Sequence, residues 1–353
     1  MTSPTPTPRW SWSGALTGAA AARAGAPATA SLRFAAMATT ALHTLSGATM
    51  GTTWSVKLIA AVSALPALER GIQARLDQVV AQMSTWERGS DISRYNRAGA
   101  GSRHTLPAEF AEVLDAALTL AADSDGAYDP TIGPLVDLWG FGPAGACAQT
   151  PTADALADAR VRVGWRRLGY DAATRALTQP GGACLDLSSI AKGYGVDRVA
   201  DWLLAQGVEH CLVEVGGELR GHGRRPDGSA WRVAVERPGS DGDAATAVIA
   251  LDGDAIATSG DYRRYFDADG RRYAHTLDPR SGAPIDGELA SVTVLHAQCM
   301  QADGLATALS VLGAREGLAY ANRRGLAALF VVREGEGFVA RGTPAFVARQ
   351  RAA

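Results

Sequence analysis

The sequence predicts an α+β protein of antiparallel sheets with packed helices. Strand-period segments come in runs that hairpin together and helix-period segments come in blocks, without the strict alternation that builds a parallel sheet. The chain is also long enough: 353 residues, 47% hydrophobic and 20% charged, can form two core-bearing units or one large domain.

Residues 1–36 are Thr/Pro-rich and then Ala/Gly-rich. Arg9, Arg23 and Arg33 interrupt every apolar run short of the roughly 20 residues a membrane helix needs. Ala15 to Ala22 is a short, poor imitation of a secretory signal, followed at once by Arg23, and no cysteine lies nearby for lipid attachment. Residues 1–45 are expected to form a disordered or poorly ordered extension, with Met37 an alternative start, ahead of a domain at 46–353.

Thr53 to Ile59 alternates polar with apolar residues, the period of a half-buried strand. The period then changes: Leu68, Ile72, Leu76, Val79 and Met83 step by threes and fours, with Pro66 in the first turn, and predict an amphipathic helix over 65–83. Phe110, Val113, Leu114, Ala117 and Leu120 predict a second over 107–123. Polar loops follow both, at Ser84–Asn96 and Asp125–Pro134. A third helix is expected from Leu187 to Leu204, capped by Asp186 or Ser188, and Cys211–Val215 reads as a buried strand. Strands are expected at 231–236, 247–251, 273–277 and 290–296, then a helix from Gln301 and a closing pair at 327–332 and 337–340. Gly216 to Gly223 faintly resembles a dinucleotide loop but runs into a strand instead of a helix, so it is not one.

The formal charge of −2 gives no broad footprint for nucleic acid, which is discounted as a partner. Cys147, Cys184, Cys211 and Cys299 are widely spaced, without a CxxC pair, and read as buried thiols.

Only two of the 34 basic residues are lysines, Lys57 and Lys192. Lys192 lies in a run of small residues with Asp186, Ser189, Gly193 and Gly195, at a predicted helix start that favours phosphate; a surface lysine beside a tightly packed helix reads equally well. Asp303 and Thr307 are four apart, so they share a helix face on which a carboxylate and a hydroxyl can hold part of a Mg²⁺ site. An aspartate near a helix start with a threonine bonding the preceding turn is the structural alternative. His275, at a predicted strand end, suits a general base, a phosphate donor or a structural hydrogen bond.

Eight segments taken together resemble one family, the ApbE-type FAD:protein FMN transferases. They are Thr49-Met50-Gly51-Thr52-Thr53-Trp54, Ser84-Thr85-Trp86 with Ser93-Arg-Tyr-Asn96, Gly126 to Gly142, Asp186 to Gly195, Val213-Glu-Val-Gly-Gly217, Thr258-Ser-Gly260 with Tyr262, His275-Thr-Leu-Asp278-Pro, and Ala302-Asp303-Gly-Leu-Ala-Thr307, in family order. The resemblance implies a duplicated, T-fold-like core. It also implies Mg²⁺-dependent cleavage of FAD, with FMN joined to a threonine of an acceptor flavoprotein, including those of membrane redox complexes, and AMP released. Carried over by position, Met50, Trp86, Ala127, Tyr128, Asp129, Asp186, Lys192 and His275 look like FAD contacts. Ser189, Asp303 and Thr307 look like the metal site, with His275 and Asp303 catalytic.

Lys192 is not a fixed residue of the family, which leaves an essential role for its amine open. Family members are commonly periplasmic or bound to the inner membrane, whereas this N-terminus carries neither a clear signal nor a lipid-bearing cysteine, so a cytoplasmic site also fits. Ser46-Gly-Ala-Thr49 looks like the acceptor motif that such enzymes modify. An FAD pyrophosphatase, releasing FMN and AMP, and a non-catalytic flavin-binding protein are the rival readings.

Overall fold

The computed structural model describes residues 39–146, 149–238, 245–260, 265–268 and 271–351, with only the backbone given for 265–268, 271 and 272. Residues 1–38, Cys147 and Tyr262 lie outside the described residues. Thr40 to Leu45, expected to fall in the poorly ordered extension, instead pair with the next strand.

The central feature is one eight-stranded antiparallel sheet. Its first half comprises β1 (Thr40–Thr49), β2 (Thr52–Ala61), helix α1 (Leu65–Met83), helix α2 (Ala108–Asp123), helix α3 (Ala191–Ala205), β3 (Cys211–Val215) and β4 (Glu218–His222). Its second half comprises β5 (Ala255–Gly260), β6 (Leu289–His296), helix α4 (Cys299–Arg323), β7 (Ala327–Glu334) and β8 (Gly337–Gly342). The strands lie side by side in this order. Each half therefore has two antiparallel strands, then helix (α1 to α3 in the first half, α4 alone in the second), then two antiparallel strands, and the implied duplication is visible as the order of strand pairs. The halves meet along a short seam, Ala255 opposite Arg220 and Ile256 opposite Leu219.

Alternation along the strands sorts the core into two layers. Val213, Val215, Ala257, Val292, Val294 and Phe330 face the helices, whereas Leu212, Leu219, Ile256, Leu295 and Leu329 face a hairpin of Trp231–Glu236 with Ala245–Leu251. Coverage on both faces explains why β6 is buried at seven of its eight positions. On α1, the predicted stripe of Leu68, Ile72, Leu76, Val79 and Met83 is buried throughout. Each such side chain contributes about 1.5–3 kcal/mol relative to exposure.

Several expectations need correction. Strand β1 was not anticipated: it is an edge strand, mostly exposed, and lacks a clean apolar alternation. Helix α3 starts at Ala191, not Leu187, and no side chain caps it, because Asp186 folds back onto the backbone N–H and hydroxyl of Ser188. The strand expected over 273–277 is broken at His275 and Thr276. Arg271–Ala274 pairs with Tyr265–Ala268, and Leu277–Asp278 pairs with Ala283–Pro284. A short helix, Asp91–Asn96, lies within the first polar loop, and another, Gly133–Leu138, begins at the end of the second. Helix α4 begins two residues early and is interrupted at Gly313, whose φ of 77° only glycine adopts readily. Among the described residues, no helix is long and apolar enough to cross a membrane.

Helices α3 and α4 cross at their N-termini. A Cβ on Gly193 would lie 2.3 Å from the Cys299 carbonyl oxygen and 2.8 Å from Asp303 Cβ, so only glycine fits without moving a backbone. One turn on, the Asp197 carboxylate accepts from Cys299 N and Met300 N, both at 2.9 Å, and so caps α4 from a neighbouring helix. Gly193→Ala should therefore destabilise the fold by about 2–3 kcal/mol through overpacking. An unchanged urea midpoint would show that the helices do not meet this closely.

Candidate active site

The crossing places an acid directly at the start of α3. Gly193 N donates to Asp303 Oδ2 at 2.9 Å, and Asp303 is 5% exposed. The adjoining Lys192 points its ammonium at two carboxylates, Glu218 Oε1 at 2.8 Å and Asp303 Oδ1 at 3.5 Å, while its side chain keeps 29% exposure. Burial pushes the Lys192 pKa down, but the charges of Asp303 and Glu218 overcome it and hold the ammonium above its ordinary range. Glu218 opens β4 and is 3% exposed. Burial, and to a lesser extent the Asp303 charge, push its carboxyl up to about 7 against the pull of the Lys192 ammonium.

Three segments distant in sequence are laced together beside this group. The Asn96 side chain donates to Leu185 O and accepts from Leu185 N, each at 2.8 Å. Asp186 N donates to Pro130 O at 2.8 Å, and Gly133 N to Cys184 O at 3.2 Å. These bonds bring both polar loops to the turn that precedes α3. Ser189 Oγ there donates to Tyr128 Oη at 3.2 Å. Burial raises the Tyr128 phenol well above its usual range. The Ser189 bond opposes the rise, and the charges of Asp303, Asp186 and Asp129 add to it.

Asp129 is 8% exposed, and its carboxylate accepts from Thr131 N at 2.8 Å, Thr131 Oγ1 at 2.6 Å and Trp165 N at 3.1 Å. Burial raises its pKa, and the Thr131 and Trp165 bonds oppose the rise. Asp129 thus shapes its loop from within, as Asp186 shapes the next turn through Ser188. Ala127 is buried beside it.

Met50 sits at φ 49° and Gly51 at 69° in the two-residue turn between β1 and β2, the positive pair that a tight hairpin requires. Its methyl end would lie 3.1 Å from a Cβ on Gly195, which places Met50 against α3, one turn beyond Lys192. Trp86, in the loop after α1, leaves its indole 63% exposed. His275 occupies the bend between the two small hairpins, its ring edge-on to Phe141 with centroids 6.4 Å apart. The next residue, Thr276, lines a narrow recess with Ser259, Gly260 and Ser310. Since Ser310 lies one turn beyond Thr307, the His275 segment meets the helix that carries Asp303 and Thr307.

The structure therefore gathers Asp303, Lys192, Ser189 and Tyr128 at one helix crossing, with Met50 against α3. Glu218 was overlooked in the sequence. Its signal was a carboxylate directly after Gly216-Gly217 at the head of an inward-facing strand. No group of three or more His, Cys, Asp or Glu side chains suited to a metal is present among the described residues. The buried Asp303 carboxylate, with Thr307 four residues on along the same helix, is instead of the donor type that suits Mg²⁺, which keeps waters and takes its remaining ligands from phosphate oxygens. The residues fit that ion.

The architecture is that of an α+β protein with a duplicated antiparallel sheet and an ionic site where two helices cross. The chain belongs to the ApbE family, whose profile matches residues 50–330. The crystal structure of the apo flavinyl transferase ApbE of Pseudomonas stutzeri is 46% identical, covers 89% of this chain and 98% of its own, and superposes with a TM-score of 0.82. The flavin transferase ApbE of Vibrio cholerae superposes at 0.81 with 39% identity, over 88% of this chain and 99% of its own. Among curated relatives, the FAD:protein FMN transferase of Haemophilus influenzae is 41% identical over 87% of this chain and 91% of its own.

The raised Glu218 pKa sets a pH dependence. Between the ordinary carboxylate value of 4.5 and about 7, the folded chain holds a proton that the unfolded chain has lost. The Glu218 contribution is thus fully present below that window and is lost as pH rises through it. Denaturation across pH 4–8, compared with Glu218→Gln, should show the difference falling with pH; a flat difference would refute the assignment.

Proposed function

We propose that this chain is a Mg²⁺-dependent FAD:protein FMN transferase, joining FMN through a phosphoester to a threonine of an acceptor flavoprotein and releasing AMP. The observation that carries the reading is the Asp303 carboxylate. It is buried at the crossing of α3 and α4, on one helix face with Thr307 and beside a single ammonium. The names of the related enzymes supply the substrate class.

Asp303, Thr307 and Ser189 would hold Mg²⁺, which neutralises charge on the phosphate oxygens during transfer. The chain's own groups bind and orient. Lys192 places positive charge at the start of α3, whose Gly193 N–H is already taken by Asp303. Met50, Trp86, the Ala127–Asp129 loop and the Asp186 turn frame the flavin nucleotide. In the reaction, the threonine oxygen bonds to the FMN phosphorus, the bond from that phosphorus to the AMP oxygen breaks, and AMP leaves with the electron pair. The threonine proton must depart, and His275 is the group proposed to take it.

The chain's own acceptor-like threonine, Thr49, is 8% exposed with its hydroxyl buried, which disfavours it as a target. The acceptor is a second protein, and the flavoproteins of membrane redox complexes are the class the resemblance implies.

Incubation with FAD, Mg²⁺ and a threonine-bearing acceptor should add the mass of one FMN to the acceptor and release AMP. Asp303→Ala should lose both signals, and full Mg²⁺-dependent transfer by that variant would sink the assignment. FMN and AMP without a mass gain would favour the pyrophosphatase. FAD binding without AMP would favour a carrier.

A further inference from the structure

Lys192 does not divide itself evenly between its carboxylates. At 2.8 Å from Glu218 Oε1 it makes a full charge-assisted hydrogen bond, while at 3.5 Å from Asp303 Oδ1 it makes only an electrostatic contact. The Asp303 carboxylate is fixed from its other side, where Oδ2 accepts from Gly193 N. Glu218 is among the most buried acids described, and its second oxygen, Oε2, is buried without a hydrogen-bond partner. A half-satisfied buried carboxylate is unfavourable in itself, so packing alone gives no reason for it.

We infer that Glu218 is a positioning residue that draws the Lys192 ammonium away from Asp303, leaving Asp303 Oδ1 open to a divalent cation. The inference rests on the reading of Asp303 as a cation ligand. Without the Glu218 charge, Asp303 is the nearest remaining anion to the ammonium, and a short swing of the flexible lysine stem closes the gap. An ammonium bonded to Oδ1 occupies the lone pairs a cation would use and repels the cation as a like charge.

The test titrates Mn²⁺ alone into the full-length protein at a pH above the Glu218 titration, with free Mn²⁺ read by electron paramagnetic resonance, so that neither FAD nor turnover is involved. Glu218→Gln should weaken Mn²⁺ binding about tenfold, the scale at which groups supporting metal ligands act. The double variant Glu218→Gln/Lys192→Met should return to wild-type affinity or tighter, because the competitor is gone. A merely structural role for Glu218 would not give this rescue. Wild-type binding by Glu218→Gln, or a double variant as weak as the single one, overturns the inference. If Glu218→Gln does not fold, Lys192→Met alone decides: binding at least as tight as wild type supports competition, and weaker binding overturns it. Asp303→Ala separates the two layers of the argument. Its loss of Mn²⁺ alongside an unaffected Glu218→Gln sinks the positioning role alone, whereas wild-type binding by Asp303→Ala sinks the cation reading beneath it.

Discussion

The contact between Gly193 and the first turn of α4 is the constraint on which the candidate site depends. With no side chain at Gly193, α3 approaches α4 closely enough for a backbone N–H to reach Asp303. The same approach brings Asp197 to the bare N–H groups of Cys299 and Met300, and Arg220 pairs with Asp197 from β4. A helix start that would otherwise bury unpaired donors is thus satisfied by its neighbour, and its axis is fixed relative to α3. Asp303, four residues into α4, inherits that fixed position.

The duplicated sheet gives this crossing its place. Each half sends its helix over the same face, and the halves adjoin at β4 and β5, so α3 and α4 are brought side by side. Glu218 opens the strand at that seam and extends beneath the crossing, while the Met50–Gly51 turn closes over α3 from the first hairpin. The polar loops then attach just before α3, the first through the Asn96 side chain to Leu185 and the second through a backbone bond from Asp186 N to Pro130 O.

Much of this was legible in the sequence where a long periodic signal existed. The stripes of α1 and α2 and the apolar run of β3 emerge at or near their predicted bounds. Edge strand β1 was illegible because half-exposed edges carry little apolar patterning. The start of α3 was misplaced because an aspartate that folds onto its own turn has the same local sequence as one that caps a helix. Asp303 with Thr307, Lys192 with Asp186 and Ser189, and His275 stood out from residue type and spacing, whereas Met50, Trp86 and the Ala127–Asp129 loop were legible only through the resemblance to a family. No periodicity links Lys192 to Glu218 or Asp303, since their meeting depends on how close two helices come. Asp197 did leave a trace: a charge among Val196, Val199 and Ala200 on an otherwise buried helix face.

The lysine at position 192, one of two in the chain, gains a physical meaning at this site. A guanidinium at position 192 would present a planar fork matched to carboxylates, able to engage two oxygens in parallel. Set among Asp303 and Glu218, it would tend to tie up the Asp303 oxygen proposed for the cation. A compact ammonium on a flexible stem can instead take one strong bond from Glu218 and lend the rest of its charge to the helix start. The arrangement keeps positive charge at the start of α3 without neutralising Asp303 through a direct bond. By this argument the lysine and the buried glutamate form one unit, and neither alone accounts for the open carboxylate beside them.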